Sequence, residues 1–88
     1  MEIEYDTAKE AANIIKHDMS LADAQGLFEG SIKVRPDDRK NYGEQRMIAL
    51  GEIAGRVHVC VYTMRGDVYR VISLRRANRR ETNAYREG

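Results

Sequence analysis

QRMIALGEIAGRVHVCVYTMRGDVYRVISL, from Gln45 to Leu74, is the stretch on which the fold turns. Residues 45–53, 57–64 and 68–74 are rich in Val, Ile, Tyr and Thr, which suit a pleated, half-buried surface. Turn residues separate the three runs at Ala54-Gly55 and at Arg65-Gly66-Asp67. Turns this short join antiparallel neighbours, so the pattern predicts a three-stranded antiparallel meander. Apolar positions fall on both faces, so helices must cover one face and something must partly shield the other.

Upstream, the period changes from two to that of a helix. Asp6 is placed to cap a first helix, its carboxylate accepting from the free amides of the opening turn. Ala8, Ala11, Ala12 and Ile15 recur at helical spacing and mark the expected buried stripe. Asp6, Lys9, Asn13, Lys16 and His17 then share an arc on the other side. Ser20 restarts helical geometry with Asp23 three positions on, in the manner of a capping box. Leu21, Ala24, Leu27 and Phe28 supply the apolar face of that second helix, and Gly30 ends it. The Pro, Asp, Asn and Gly residues of 35–43 read as a polar loop. Residues 3–5 add an edge strand, and residues 77–86 form a last short helix carrying Arg79, Arg80, Glu81 and Tyr85. The expected fold class is α+β: two N-terminal helices packed on a small antiparallel meander sheet with a short C-terminal helix. With 88 residues there is one expected domain, 1–88.

Charge is distributed unevenly along this chain. Its formal net charge is +1, yet residues 1–30 hold seven acids and two bases, whereas 65–88 hold seven bases and three acids. Between Arg65 and Arg80 there are six arginines and one carboxylate, Asp67. Such a block builds either an electropositive site for phosphates, where the planar guanidinium grips oxygens in pairs, or a solvated face balanced by acidic neighbours. Cys60 is the single cysteine, which excludes an internal disulfide framework and points to a reducing compartment. It lies in the apolar run 57–62 and reads as a buried small hydrophobe. No run approaches the roughly 20 apolar residues of a membrane span. The start, Met1-Glu2-Ile3-Glu4, is acidic where a secretory leader is basic. A cytoplasmic protein that touches no membrane is the expectation.

Several chemistries lack their residues. There is no Gly-rich phosphate loop, no Cys/His metal spacing and no nucleophile elbow. Asp37-Asp38 follows Pro36, where a turn role outweighs a metal role, so neither a metal site nor a cofactor is expected. Cleavage of RNA can dispense with both, because the substrate's own 2′-hydroxyl attacks the adjacent phosphorus. The protein then has to hold that geometry, neutralise charge on the phosphoryl oxygens and move protons. His17 is the candidate acid or base, since its unperturbed pKa of about 6.5 lies near working pH. Its alternative part is to end the first helix, where a cation suits the dipole. His58, in mid-strand, reads as sheet packing. Strict alternation puts Tyr69, Val71, Ser73 and Arg75 on one face and Arg70, Ile72, Leu74 and Arg76 on the other. Arg70 and Arg75 therefore meet in one site only if a twist or bulge re-aims one of them. Arg76, Arg79 and Arg80 form a ridge if the last helix starts by Arg76. That ridge suits RNA backbone, or equally the acids of the first thirty residues.

Taken in order, these residues resemble a known family. Asp6, Lys9, Asn13, Lys16 and His17, then Ala24 and Phe28, Arg46 before Gly51, Tyr62-Thr63, the run Arg70-Val71-Ile72-Ser73-Leu74-Arg75-Arg76-Ala77, and Glu81 with Tyr85 are similar to the pattern of the BrnT ribonuclease toxins. The resemblance implies a RelE-like fold and metal-independent RNA cleavage that inhibits translation. It also implies neutralisation by a ribbon–helix–helix antitoxin and contact with operator DNA only through the antitoxin complex. Carried onto this chain, it implies catalytic parts for Lys16, His17, Arg75 and Arg70, with RNA bound by Lys9, Asn13, Arg46 and Arg76; Arg79 and Arg80 extend that basic surface. Which residue is base and which acid stays open, as does a catalytically weak partner protein acting in a repressor complex. Asp18 stands where the family pattern has glycine: aspartate tolerates the left-handed turn, but its charge sits beside His17, where it raises the imidazole pKa or blunts phosphate attraction. Leu21 replaces an aromatic, as a packing change.

Overall fold

The computed structural model describes residues 1–39, 41 and 43–87. Five strands form one sheet: β1 (Glu2–Glu4), β2 (Lys33–Pro36), β3 (Met47–Ile53), β4 (Arg56–Arg65) and β5 (Val68–Arg76). Their order is β1-β5-β4-β3-β2. The three long strands pair antiparallel in sequence order, while β1 runs parallel to β5 at one edge and β2 antiparallel to β3 at the other. The expected three-stranded meander is thus the middle of a larger mixed sheet. Part of the expected loop 35–43 is strand, with Arg35 and Pro36 in β2. Proline is tolerated there because an edge strand has one row of amides without a ladder partner. The rest of that segment, apart from positions 40 and 42 outside the described residues, is turn and coil.

One face of the sheet is sealed by α2 (Ala24–Phe28) and the 3-10 turn before it (Leu21–Asp23). Leu21, Ala24 and Leu27 are fully buried over Ala49, Cys60, Tyr62, Val71 and Leu74. Gly51 makes the close approach possible, since a Cβ there would stand 2.9 Å from Leu27 Cγ and 3.0 Å from Ile32 Cγ2. Phe28 meets Tyr62 edge-on at 5.0 Å between ring centroids and Tyr69 at 4.5 Å, closing one side of this layer. Burial pushes the Cys60 thiol up to about 12, so it is packing and no nucleophile. His58 is likewise buried, its Nδ1 2.7 Å from the Arg56 carbonyl.

The helix that positions the site is α1 (Thr7–His17). Asp6 caps it, accepting from the amides of Ala8 at 2.7 Å and Lys9 at 3.1 Å. Its expected orientation is inverted. Ala8, Ala11, Ala12 and Ile15 are exposed, and Asn13, only 5 % exposed, faces inward. The reason lies in hydrogen bonds rather than in apolar burial. β1 pairs with β5 only as far as Arg70, which leaves the outer edge of β5 open beyond it. The Asn13 carboxamide fills that edge, donating to the Leu74 carbonyl at 2.8 Å and accepting from the Leu74 amide at 3.1 Å. It also donates to the Met19 carbonyl at 3.0 Å, so a side chain does what another strand would have done. One turn earlier, Glu10 accepts from the Ser20 hydroxyl and the Leu21 amide, each at 2.7 Å. Glu10, and not Asp23, completes the cap that Ser20 opens.

The last helix, α3 (Arg79–Glu87), starts later than expected. Asn78 and Glu81 bond reciprocally, Glu81 N to Asn78 Oδ1 at 2.8 Å and Asn78 N to Glu81 Oε1 at 2.9 Å, which is a capping box. Tyr85 Oη donates to the Ser31 carbonyl at 2.7 Å, and Lys33 Nζ donates to the Tyr85 carbonyl. These bonds tie α3 back toward the start of β2. Among the described residues no helix is long and apolar enough to cross a membrane.

Candidate active site

The second face of the sheet is open. Cross-strand neighbours share a face, so the registers define two rungs there: Arg35–Ile48–Val61–Ser73 and Leu50–Val59–Arg75. With α1 on one side and the start of α3 on another, the residues of these rungs other than Leu50 line a cleft of about 670 Å³. Ile48, Val59 and Val61 make its apolar floor. Lys9, Lys16 and His17 enter from α1, Arg35 and Arg39 from β2 and the loop after it, and Arg75 from β5. Glu81 is the carboxylate among the described lining residues.

A bulge decides which arginines can face this cleft. Val61 pairs with Ser73 but Tyr62 pairs with Val71, leaving Ile72 as an extra residue in β5. The extra residue resets the alternation, so Arg70, Ser73 and Arg75, opposite Thr63, Val61 and Val59, share one face. Arg76, opposite His58, belongs to the other face and is exposed there. Arg76, which the resemblance put among the RNA-binding residues, is thus separated from Arg75 by strand alternation, as the sequence pattern expected. The ridge of Arg76, Arg79 and Arg80 fails for a second reason, since α3 begins only at Arg79. Arg79 and Arg80 lie exposed on that helix beside a separate shallow depression.

The cleft brings together Lys9, Lys16, His17 and Arg75. Asn13 also borders it, but its carboxamide is committed to Leu74 and Met19, so it braces the wall instead of presenting free donors. Arg70 shares the face but is held by Glu4 at 2.6 Å, outside the lining. Arg46, half-buried before β3, also lies outside it. Arg35, Arg39, Ser73 and Glu81 were not anticipated as lining. The signal for Arg35 was its alternation with Lys33 on one side of a short run, masked by the turn chemistry of Pro36 and Asp37. Asp37 takes a turn role: it accepts from the Arg39 amide at 3.3 Å and pairs with the Arg39 guanidinium at 2.8 Å.

Two titrating groups of the cleft are shifted by their neighbours. Arg75 and Glu81 form a bidentate pair, 2.9 Å at Nη1 and 2.7 Å at Nη2. That pair holds the Glu81 carboxyl down to about 2, with help from the Asn78 amide and from the charges of Arg75 and Arg35. The guanidinium is thereby fixed in orientation over the floor. His17 moves the opposite way from the Asp18 expectation. Partial burial lowers its pKa, and the charges of Lys16 and Arg75 lower it further, so the imidazole is neutral at neutral pH and able to accept a proton. Asp18 adopts the left-handed turn, φ 56° and ψ 38°, closing α1 through its amide on the Ile14 carbonyl. Chemically, then, the cleft offers a neutral imidazole, two ammonium groups and a fixed guanidinium around one shared space.

In comparison with known protein families, residues 5–81 match the family described as "Ribonuclease toxin, BrnT, of type II toxin-antitoxin system". No curated protein matches the chain.

Proposed function

The chain belongs to the BrnT family of ribonuclease toxins of type II toxin–antitoxin systems, and on that premise we propose that RNA is cut in the cleft between α1 and the end of β5. The observation that supports this most is the convergence of Lys9, Lys16 and His17 with Arg75, far apart in sequence, around one space. In the proposed reaction, neutral His17 takes the proton of the RNA 2′-hydroxyl. The 2′ oxygen bonds to phosphorus, the bond from phosphorus to the 5′ oxygen breaks, and a 2′,3′-cyclic phosphate remains. Arg75, held by Glu81, and Arg35 neutralise the phosphoryl oxygens, and Lys16 donates toward the leaving 5′ oxygen. Lys9 engages the flanking backbone. Arg70 acts at one remove, fastening β1 to β5 through Glu4, and Arg46 supports the start of β3. No step needs a metal ion.

Three finer readings go with this proposal: a RelE-like architecture, a ribbon–helix–helix antitoxin that carries operator contact for the complex, and RNA cleavage in the cytoplasm that inhibits translation. A second reading of this copy, as a catalytically weak partner protein, is favoured by one observation. Glu81 already engages both terminal nitrogens of Arg75.

Incubation of the purified chain with RNA and a chelator separates the two. The cleavage reading expects 2′,3′-cyclic phosphate ends and a kcat/KM that rises with pH through a pKa below about 6.5, then levels off by neutrality. Intact RNA under these conditions supports the partner-protein reading instead.

A further inference from the structure

Helix α1 is amphipathic in the wrong sense for a covering helix. Its polar side chains Glu10 and Asn13 make the inward bonds, while Ala8, Ala11, Ala12 and Ile15 face outward, Ile15 at 87 % exposure. At about 100° per residue these four span an arc of roughly 100°, and from Ala8 to Ile15 the strip runs about 10 Å. One side of it is the lip of the cleft: Lys9 and Lys16 flank it, and Ala12 belongs to both strip and lining. Whatever covers the strip therefore meets apolar surface along one line and ammonium groups along the next.

We propose that this strip is the docking site of the antitoxin, through an amphipathic segment with apolar side chains on one face and carboxylates on the adjoining one. Its apolar side chains cover Ala8, Ala11 and Ile15, and its carboxylates face Lys9 and Lys16 across the cleft mouth. Charge complementarity selects this occupant. A second copy of the chain would set Lys9 and Lys16 against their own counterparts, a like-charge contact that an acidic segment avoids. RNA has no use for an alanine and isoleucine strip. Docking here stands apart from the cleavage reading, and only the consequence that docking closes the cleft rests on it.

The test is calorimetric titration of the purified chain with the antitoxin of its own toxin–antitoxin system. Ile15→Gln keeps a good helix former at an exposed position and removes the apolar anchor. It should weaken binding about 10- to 100-fold, as expected for an aliphatic side chain buried on association. Ile15→Leu should stay within about threefold of the parent. Thermal melting and RNA cleavage by the free Ile15→Gln protein should match the parent, because Ile15 lies outside the cleft lining. Unchanged antitoxin affinity in Ile15→Gln overturns the proposal. So does sedimentation showing that the parent alone is a dimer which Ile15→Gln disperses, since the strip is then a self-interface. Weakened RNA binding by Ile15→Gln overturns it too, by making the strip part of the RNA site. A parent chain inactive on RNA refutes the cleavage reading alone and leaves the affinity comparison to decide docking.

Discussion

The two faces of the sheet use the same strands for opposite ends. Beneath α2, Leu21, Leu27, Cys60, Val71 and Leu74 are sealed from water, and the chemistry of the one thiol there is suppressed. On the other side, Ile48, Val59 and Val61 form a floor that basic side chains surround without closing. The sealed face carries stability, and the open face sets an apolar floor beneath basic side chains that water still reaches. Alternation lets one strand serve both, and the bulge at Ile72 lets β5 present Val71 and Leu74 to the first face and Arg70, Ser73 and Arg75 to the second.

The division can be broken most severely from the sealed side. Leu27→Ala removes a fully buried side chain that packs on Gly51 and should cost about 2–5 kcal/mol in chemical denaturation, with the activity of the remaining folded protein little changed. Arg75→Ala is the converse. It should lower RNA cleavage about 100- to 1000-fold, as loss of a charge-stabilising donor does, while stability moves by less than about 1 kcal/mol because its partner Glu81 is reachable by water. Arg70→Ala, on the same face but outside the cleft, should leave cleavage near the parental rate.

Asn13 bonds the edge of β5 at Leu74, a residue of the sealed core, while bordering the cleft, and its replacement shows whether the two faces are coupled. Asn13→Ala strands the Leu74 amide and carbonyl at the edge of β5 and should cost about 1–3 kcal/mol. Cleavage should fall as well, because Lys9, Lys16 and His17 ride on the same helix; a loss of stability with full activity would uncouple them. The smallest expected change in stability is acid-dependent. Glu81 is held at about 2 in the folded chain against 4.5 for an unperturbed carboxyl. Since the folded value is the lower one, its contribution is complete above about pH 4.5, shrinks as pH falls and is gone near pH 2. After solvent screening it is roughly 1 kcal/mol, and Glu81→Gln should flatten that part of a stability-versus-pH curve.

How much of this was legible depended on what a periodic pattern can encode. The three long strands, the Asp6 cap and the sealed Leu21–Leu27 layer follow from spacing and residue type. The orientation of α1 did not, because Ala8, Ala11, Ala12 and Ile15 form a correct amphipathic stripe; a pattern of hydrophobicity has no place for a carboxamide that pairs with the Leu74 backbone. For the same reason the sequence groups Asn13 with Lys9, Lys16 and His17 on one arc but carries no sign that its carboxamide is bonded to Leu74 and Met19. Alternation along 68–76 could state that a bulge was needed to unite Arg70 with Arg75, but not that Ile72 supplies it or that Arg76 is turned away. Arg35 was lost to the turn chemistry of its neighbours, and Glu81 became part of the site only through its bidentate contact with Arg75.

A double-mutant cycle on kcat/KM for RNA cleavage, with His17→Ala, Arg75→Ala and the pair combined, tests most directly whether α1 and the end of β5 build one catalytic centre. Each single change should cost about 100-fold or more, and the combination should cost little beyond the worse of the two, because groups that act as a unit on one phosphate are far from additive. Losses that multiply in full, or a single variant that cleaves at the parental rate, would contradict it.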